Sequence, residues 1–190
     1  MMTKYFIILL FLVSCSEIKQ PAGILARRFP QQTRITELKV WRINDFIIKA
    51  LAKYELKAKV LSKKRYRFDE GALIAPYDLV LGWGRMSDQA VIDRIDISQR
   101  SRWYFWKAKH PPIPKAEIAM CSANMHIIPA NKIVKSELED VLVGEIIYLK
   151  GFLIEVTGKN GWHWKSSLSR TDTGNGACEL VYVEKLLRIK

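Results

Sequence analysis

Glu145-Ile146-Ile147-Tyr148-Leu149-Lys150-Gly151-Phe152-Leu153-Ile154-Glu155-Val156 is apolar on both of its alternating faces except near Lys150. A run of this length with β-branched and aromatic residues reads as a strand buried on two sides. Gly151 interrupts it, and a glycine inside a strand marks a bulge or a sharp bend. A long strand that bends belongs to a sheet that curls and closes. The expected fold class is therefore mainly β (α+β), a small and partly closed β-barrel-like domain with one or two short helices.

The neighbouring sequence fits that reading. Lys159-Asn160-Gly161 supplies the positive φ angles of a hairpin turn, and Trp162 and Trp164 then share a face opposite His163 and Lys165. Upstream, residues 132–142 form the best helix, with Asn131 as N-cap, Val134, Leu138, Val141 and Leu142 as its stripe, and Gly144 as the C′ residue. Residues 54–60 alternate apolar and charged side chains, as a half-buried strand does. Further strands are expected at 78–81, 103–106 and 179–187, and a short helix capped by Ser87. The segment 144–151 resembles the opening strand of OB-like or SH3-like barrels.

The chain starts with a different signal. Lys4 precedes the apolar core Tyr5 to Val13, which is too short to span a bilayer, and polar residues follow from Ser14. Leu12-Val13-Ser14-Cys15 resembles the bacterial lipobox, in which the cysteine becomes the acylated first residue of the mature protein. The resemblance implies a signal peptide over residues 1–14, a lipidated Cys15 (palmitate-type acylation) and an envelope location. Serine at position 16 implies the outer membrane, facing the periplasm. Pro21, Gly23 and Pro30 make residues 15–32 a tether, leaving 33–190 as a single globular domain.

The 190 residues carry a net charge of +12, of which the leader accounts only for Lys4. Residues 23–70 are the basic region, with thirteen Lys/Arg against five Asp/Glu. Such a surface favours anionic partners. For an exported chain these are the membrane, lipopolysaccharide, peptidoglycan or another envelope protein, with nucleic acid a poor fit. With Cys15 assigned to lipid, Cys121 and Cys178 form an even pair; a disulfide between them would close 58 residues and contribute about 4 kcal/mol. The competing reading leaves two thiols, one of them a nucleophile.

Two polar clusters interrupt the apolar pattern. Ser122, Asn124 and His126 precede an Ile-Ile-Pro step, and His126 has the imidazole of a general base, oriented by Asn124 or Asp172. Residues 166–179 contain Ser167, Arg170, Asp172 and Cys178 among glycines whose N–H groups can converge on an anion. Arg170 suits a phosphate or carboxylate, and Cys178 with His126 and Asp172 suits a cysteine hydrolase or transferase. Trp83, Trp103, Trp106, Trp162 and Trp164 offer faces for sugar rings or bases, with Trp83 and Trp106 the chosen ligand contacts. His110, His126 and His163 are scattered, so no metal site is expected, and no sequence pattern calls for a cofactor.

Four blocks, residues 76–88, 103–106, 122–130 and 164–174, are similar to those of bacterial exported proteins with no assigned activity. The resemblance implies a shared domain and carries no catalytic residue. The leading expectation is a lipid-anchored envelope binding or scaffold domain for an anionic or glycan partner; the alternative is the envelope cysteine hydrolase or transferase.

Overall fold

The computed structural model describes residues 17–169 and 178–189. In chain order these form β1 (Gln31–Arg34), β2 (Val40–Ile43), β3 (Phe46–Arg65), β4 (Tyr77–Gly82), α1 (Gln89–Ile92), β5 (Asp96–Arg100), β6 (Trp103–Lys107), α2 (Lys115–Met120), β7 (Ser122–Pro129), α3 (Lys132–Asp140), β8 (Ile146–Thr157), β9 (His163–Lys165) and β10 (Glu179–Ile189). Short 3-10 turns cover Glu70–Leu73, Gly84–Ser87 and Lys159–Gly161. The domain is mainly β.

Five strands close a ring in the order β3, β4, β7, β10, β8 and back to β3. Only the β7–β10 pair is parallel. The third and fifth ring strands are thus the parallel pair, with α3 between the third and fourth. The ring is uneven, because β3 takes β2, β1 and β4 in succession along one edge and β8 along the other. The ring opens with β3; the segment expected to open it, around residues 144–151, begins the fourth ring strand instead. Its lack of side-selective polarity fits a central position, since β8 pairs with both β3 and β10.

The bulge expected at Gly151 lies on the neighbouring strand instead, since β8 pairs with β3 through Gly151 without a slip and the glycine admits the close approach of β10. A Cβ at Gly151 would stand 1.9 Å from the Tyr182 carbonyl oxygen. Opposite it, the β10 register slips between Val183 and Lys185. A second slip, between Ala50 and Ala52, changes which core β3 serves. Phe46, Ile48 and Ala50 pack with Ile154 and Val156 in an outer cluster, whereas Ala52, Tyr54, Leu56 and Ala58 pack with Ile147, Leu149 and Leu153 in the main core. One bulged strand therefore walls two cores.

Three local expectations change. Asn131 caps α3 through the Val134 N–H at 3.0 Å, but the helix stops at Asp140, before Gly144. Gly144, at φ +89°, instead admits the backbone of Ile18, whose carbonyl oxygen lies 1.7 Å from where a Cβ would sit. Asp88 rather than Ser87 caps α1, accepting from the Ala90 N–H at 2.9 Å. Ser87 accepts from the Leu25 and Ala26 N–H groups at 3.1 and 3.0 Å. The segment expected as a tether is thus a strap laid on the barrel from residue 18 onward, and it runs straight into β1. Its main-chain donors find side-chain acceptors on α1 and the turn before it, which a free chain would leave to water.

Candidate functional site

A cleft of about 1060 Å³ opens beside the end of β3. Arg65, Tyr66, Arg67 and Phe68 form one wall, Gly71 sits at its base, and Trp162, His163 and Trp164 form the opposite wall. The tip of the β5–β6 hairpin, Ser101 and Arg102, lies between them. These are the loop between the first two ring strands and the loop after the fourth.

Arg102 fixes the shape of the cleft. Both residues at the hairpin tip have positive φ, 50° for Ser101 and 68° for Arg102. Neither is glycine, so the turn is conformationally costly and must be held by contacts. The Arg102 N–H donates to the Tyr66 hydroxyl at 3.0 Å, and its carbonyl accepts from Asn124 at 2.9 Å. Its guanidinium donates to Asp69 at 2.6 Å, to Asp78 at 2.9 Å and to the Ala75 carbonyl at 2.9 Å. The same group lies 4.1 Å from the Tyr66 ring centroid and 5.3 Å from that of Trp164. Burial pushes the Tyr66 hydroxyl pKa up, so it stays protonated.

Trp164 reaches this position because residue 71 has no side chain: a Cβ there would come within 2.8 Å of the indole. Trp162 meets Trp164 edge to face at 5.9 Å. Phe68 is 98% exposed at the mouth of the cleft, and Arg65 and Arg67 are exposed beside it. His163 is bonded to Glu155 at 2.7 Å, which holds that carboxyl below its ordinary range. Asp69 is already engaged by Arg102, and Arg65 and Arg67 face one further lining carboxylate, the exposed Glu70, so the free charge here has a small positive excess.

The polar residues noticed in the sequence do meet, but behind the cleft. They lie on the outer face of β4 and β7, covered by the β5–β6 hairpin. Asp78, wholly buried, receives Arg102 and the Asn124 amide, at 2.9 and 3.3 Å. Asn124 in turn accepts from Gln99 at 2.8 Å, and Gln99 accepts from Ser62 at 2.8 Å. His126 Nδ1 lies 2.9 Å from Asp78 Oδ1, off the line of a hydrogen bond, and its ring packs 4.6 Å from Trp164. The group beside the His126 ring is therefore Asp78, not Asn124. Ser122 donates to the Ile118 carbonyl at 2.6 Å and sits 2.9 Å from the Tyr104 hydroxyl. The described parts of the four blocks, residues 76–88, 103–106, 122–130 and 164–169, meet here through β4, β6, β7 and β9.

The other expected residues lie elsewhere. Trp83 is fully buried in the main core and cannot meet a ligand; Trp106 packs half-buried against that core. Ser167 is buried, with its hydroxyl accepting from the Ser169 N–H at 2.9 Å. Cys15, Arg170 and Asp172 lie outside the described residues. Cys121 and Cys178 are not joined in a disulfide. The β7–β10 register sets Glu179 beside Met125, so Cys178 and Cys121 are displaced by three positions, about 10 Å along the strands. That exceeds the reach of a disulfide. Burial also pushes the Cys121 thiol pKa up, which disfavours a thiolate there. Neither Cys178 nor His126 lines the cleft.

Among the described residues, no group of three His, Cys, Asp or Glu side chains is placed to hold a metal ion. Nor is any helix among them long and apolar enough to cross a membrane. No family model, curated protein or solved structure matches this chain. The cleft residues Arg65 to Phe68 were missed by the sequence reading, although their strict cation–aromatic alternation was a signal available in it.

Proposed function

We propose that the protein is a lipid-anchored binding module of the bacterial envelope whose cleft takes an anionic glycan. The observation that carries this reading is the juxtaposition of Trp162 and Phe68 with Arg65 and Arg67 around one open hollow. The apolar C–H faces of sugar rings pack on indole and phenyl faces, while guanidinium groups meet phosphate or carboxylate substituents. The cleft stands on two loops whose inner side is pinned by the Arg102 clamp and by Trp164 against Gly71, which limits the ordering needed on binding. An oligonucleotide would meet the same side chains; the lipobox-like leader favours an envelope polymer. The hydrolase alternative draws no support from the cleft, since Cys178 and His126 do not line it.

Titration of purified full-length protein with lipopolysaccharide and with soluble peptidoglycan fragments, at low and high salt, tests the proposal. Binding should weaken as salt rises. Trp162→Ala should reduce affinity about tenfold, in line with about 1–3 kcal/mol for one stacked ring. The double variant Arg65→Glu, Arg67→Glu should abolish the salt dependence. Binding to oligonucleotides alone, or unchanged glycan affinity in both variants, would overturn it.

A further inference from the structure

We infer that the surface at the opposite end of β8 from the cleft is a membrane-apposed face for an anionic bilayer leaflet. The inference rests on the proposed acylation of Cys15, and it adds where the domain sits and which way it points.

The first observation is how little free chain remains. The Ile18 N–H donates to the Val143 carbonyl at 2.8 Å, Gln20 to the Gln89 side chain at 3.2 Å, and Gly23 to Asp88 at 2.8 Å. Leu25 and Ala26 both donate to Ser87, and Ala26 accepts from the Gly84 N–H at 2.8 Å. The strap is held from residue 18, so Cys15 is separated from fixed structure by only a few residues, about 10 Å of chain at full stretch. An acyl chain attached there brings this end of the barrel to the headgroups.

The second observation is the chemistry of the face itself. Arg27 and Arg28 project from the strap, both exposed, and Phe29 follows at 48% exposure. They border a hollow of about 450 Å³ shared with Lys57 and Tyr148, in which Glu55 is the one carboxylate among the lining residues. A second hollow of about 740 Å³ shares Leu25 and Lys57 with the first and adds Ile18, Ile146, Leu187 and Ile189. Arg188 at its edge is neutralised by Glu145, with bonds of 2.7 to 3.0 Å, and Glu137 offsets Lys57, so this hollow adds apolar surface and no net charge, and the positive charge of the face comes from Arg27 and Arg28. Exposed apolar side chains flanked by cations suit the interface between headgroups and acyl chains. One acyl chain alone holds a protein marginally, and a basic patch supplies the second contact.

The geometry has a functional consequence. The face adjoins Ile146, where β8 begins, and the cleft adjoins the loop after Thr157, where it ends. Up to about 36 Å of strand separates Ile146 from the Trp162–Trp164 side of the cleft, and about 26 Å along β3 separates Lys57 from Arg65 on its other side. The cleft shares no lining residue with either hollow of this face, so a leaflet on the strap leaves it free for soluble or polymeric ligands.

Co-sedimentation of the full-length protein with vesicles tests this, comparing pure phosphatidylcholine with a mixture containing phosphatidylglycerol. The intact mass of the N-terminal peptide is measured on the same sample. Binding to the anionic vesicles should exceed binding to neutral ones about tenfold at low salt. The triple variant Arg27→Glu, Arg28→Glu, Lys57→Glu should remove that preference, Phe29→Ala should weaken binding to both vesicles and keep the preference, and the cleft variant Arg65→Glu, Arg67→Glu should leave it intact. Equal partition onto both vesicles overturns the inference, as does loss of preference in the cleft variant alone. An unmodified N-terminal peptide with the preference retained would remove the anchor reading and leave this surface standing; an acylated peptide without the preference would do the reverse.

Discussion

The two ends of β8 carry similar residue types and are built in opposite ways. At the cleft end, side chains hold other side chains: Arg102 is clamped by Asp69, Asp78, Tyr66 and Trp164, and a strained turn is held in place by those contacts. At the strap end, the main chain is held by three side-chain acceptors, Ser87, Asp88 and Gln89. The first arrangement makes a walled hollow with a defined shape. The second makes a shallow face whose outward side chains are free to vary. A shaped hollow suits recognition of a particular ligand, and a shallow cationic face suits a surface with no fixed geometry. The contrast also implies different sensitivities, since a clamp fails when one charged partner is removed and a strap loosens step by step.

Substitution at the midpoint should damage both ends at once. Gly151→Ala forces a methyl group into the Tyr182 carbonyl, 1.9 Å away, and two strand backbones cannot yield easily. Urea denaturation should register a loss of about 3 kcal/mol or outright failure to fold. Loss at only one end would mean that β8 does not couple them.

Arg102→Ala comes next and should separate the ends. It leaves the wholly buried Asp78 without its guanidinium partner. Breaking such a pair costs about 3 kcal/mol. Glycan binding should fall, while hydrogen exchange at Leu25 and Ala26 stays slow. Faster exchange in the strap would argue that the clamp reaches across the barrel.

Ser87→Ala is the reciprocal case. Removing the hydroxyl deprives two strap N–H groups of their acceptor, a loss of about 1–2 kcal/mol. Exchange at Leu25 and Ala26 should accelerate with glycan affinity unchanged. A fall in that affinity would contradict the separation of the two ends.

The smallest effect concerns Lys59, which is 1% exposed beneath the strap and donates to Gln89. Desolvation lowers its amine pKa, opposed by Asp93, Asp88 and Glu17. Between that lowered folded value and the unfolded value of about 10.4, the unfolded chain holds more protons, so stability rises with pH across that window. Urea midpoints taken from pH 7 to 10 should show the rise, and Lys59→Met should flatten it. A midpoint that falls over this range in the native protein but not in the variant would contradict the assignment.

Much of the fold was legible because its signals are local. The Asn131 cap and the Asn160-Gly161 turn each depend on a few adjacent residues, and each is present, whereas the bulge read at Gly151 falls on β10 beside it. The first half of β3 was missed because Ile47, Ile48 and Leu51 blur its alternation, and the bulge there exchanges one core for another. The strap was read as a tether because its prolines and glycines resemble a linker, whereas its acceptors lie some sixty residues away on α1. The site was legible only in part. Asn124 and His126 stood out as polar residues in an apolar run, and Asp78 carries the same signal, but all three are buried supports. The cleft in front of them is assembled from residues 65–71, 101–102 and 162–164, which only the closed ring brings together.

Hydrogen exchange of the full-length protein with each partner in turn tests the central claim most directly. Lipopolysaccharide should slow exchange at residues 65–71 and 162–164, and phosphatidylglycerol vesicles should slow it at 18–29 and 187–189. A shared footprint for the two partners would contradict a barrel with one end for the ligand and the other for the membrane.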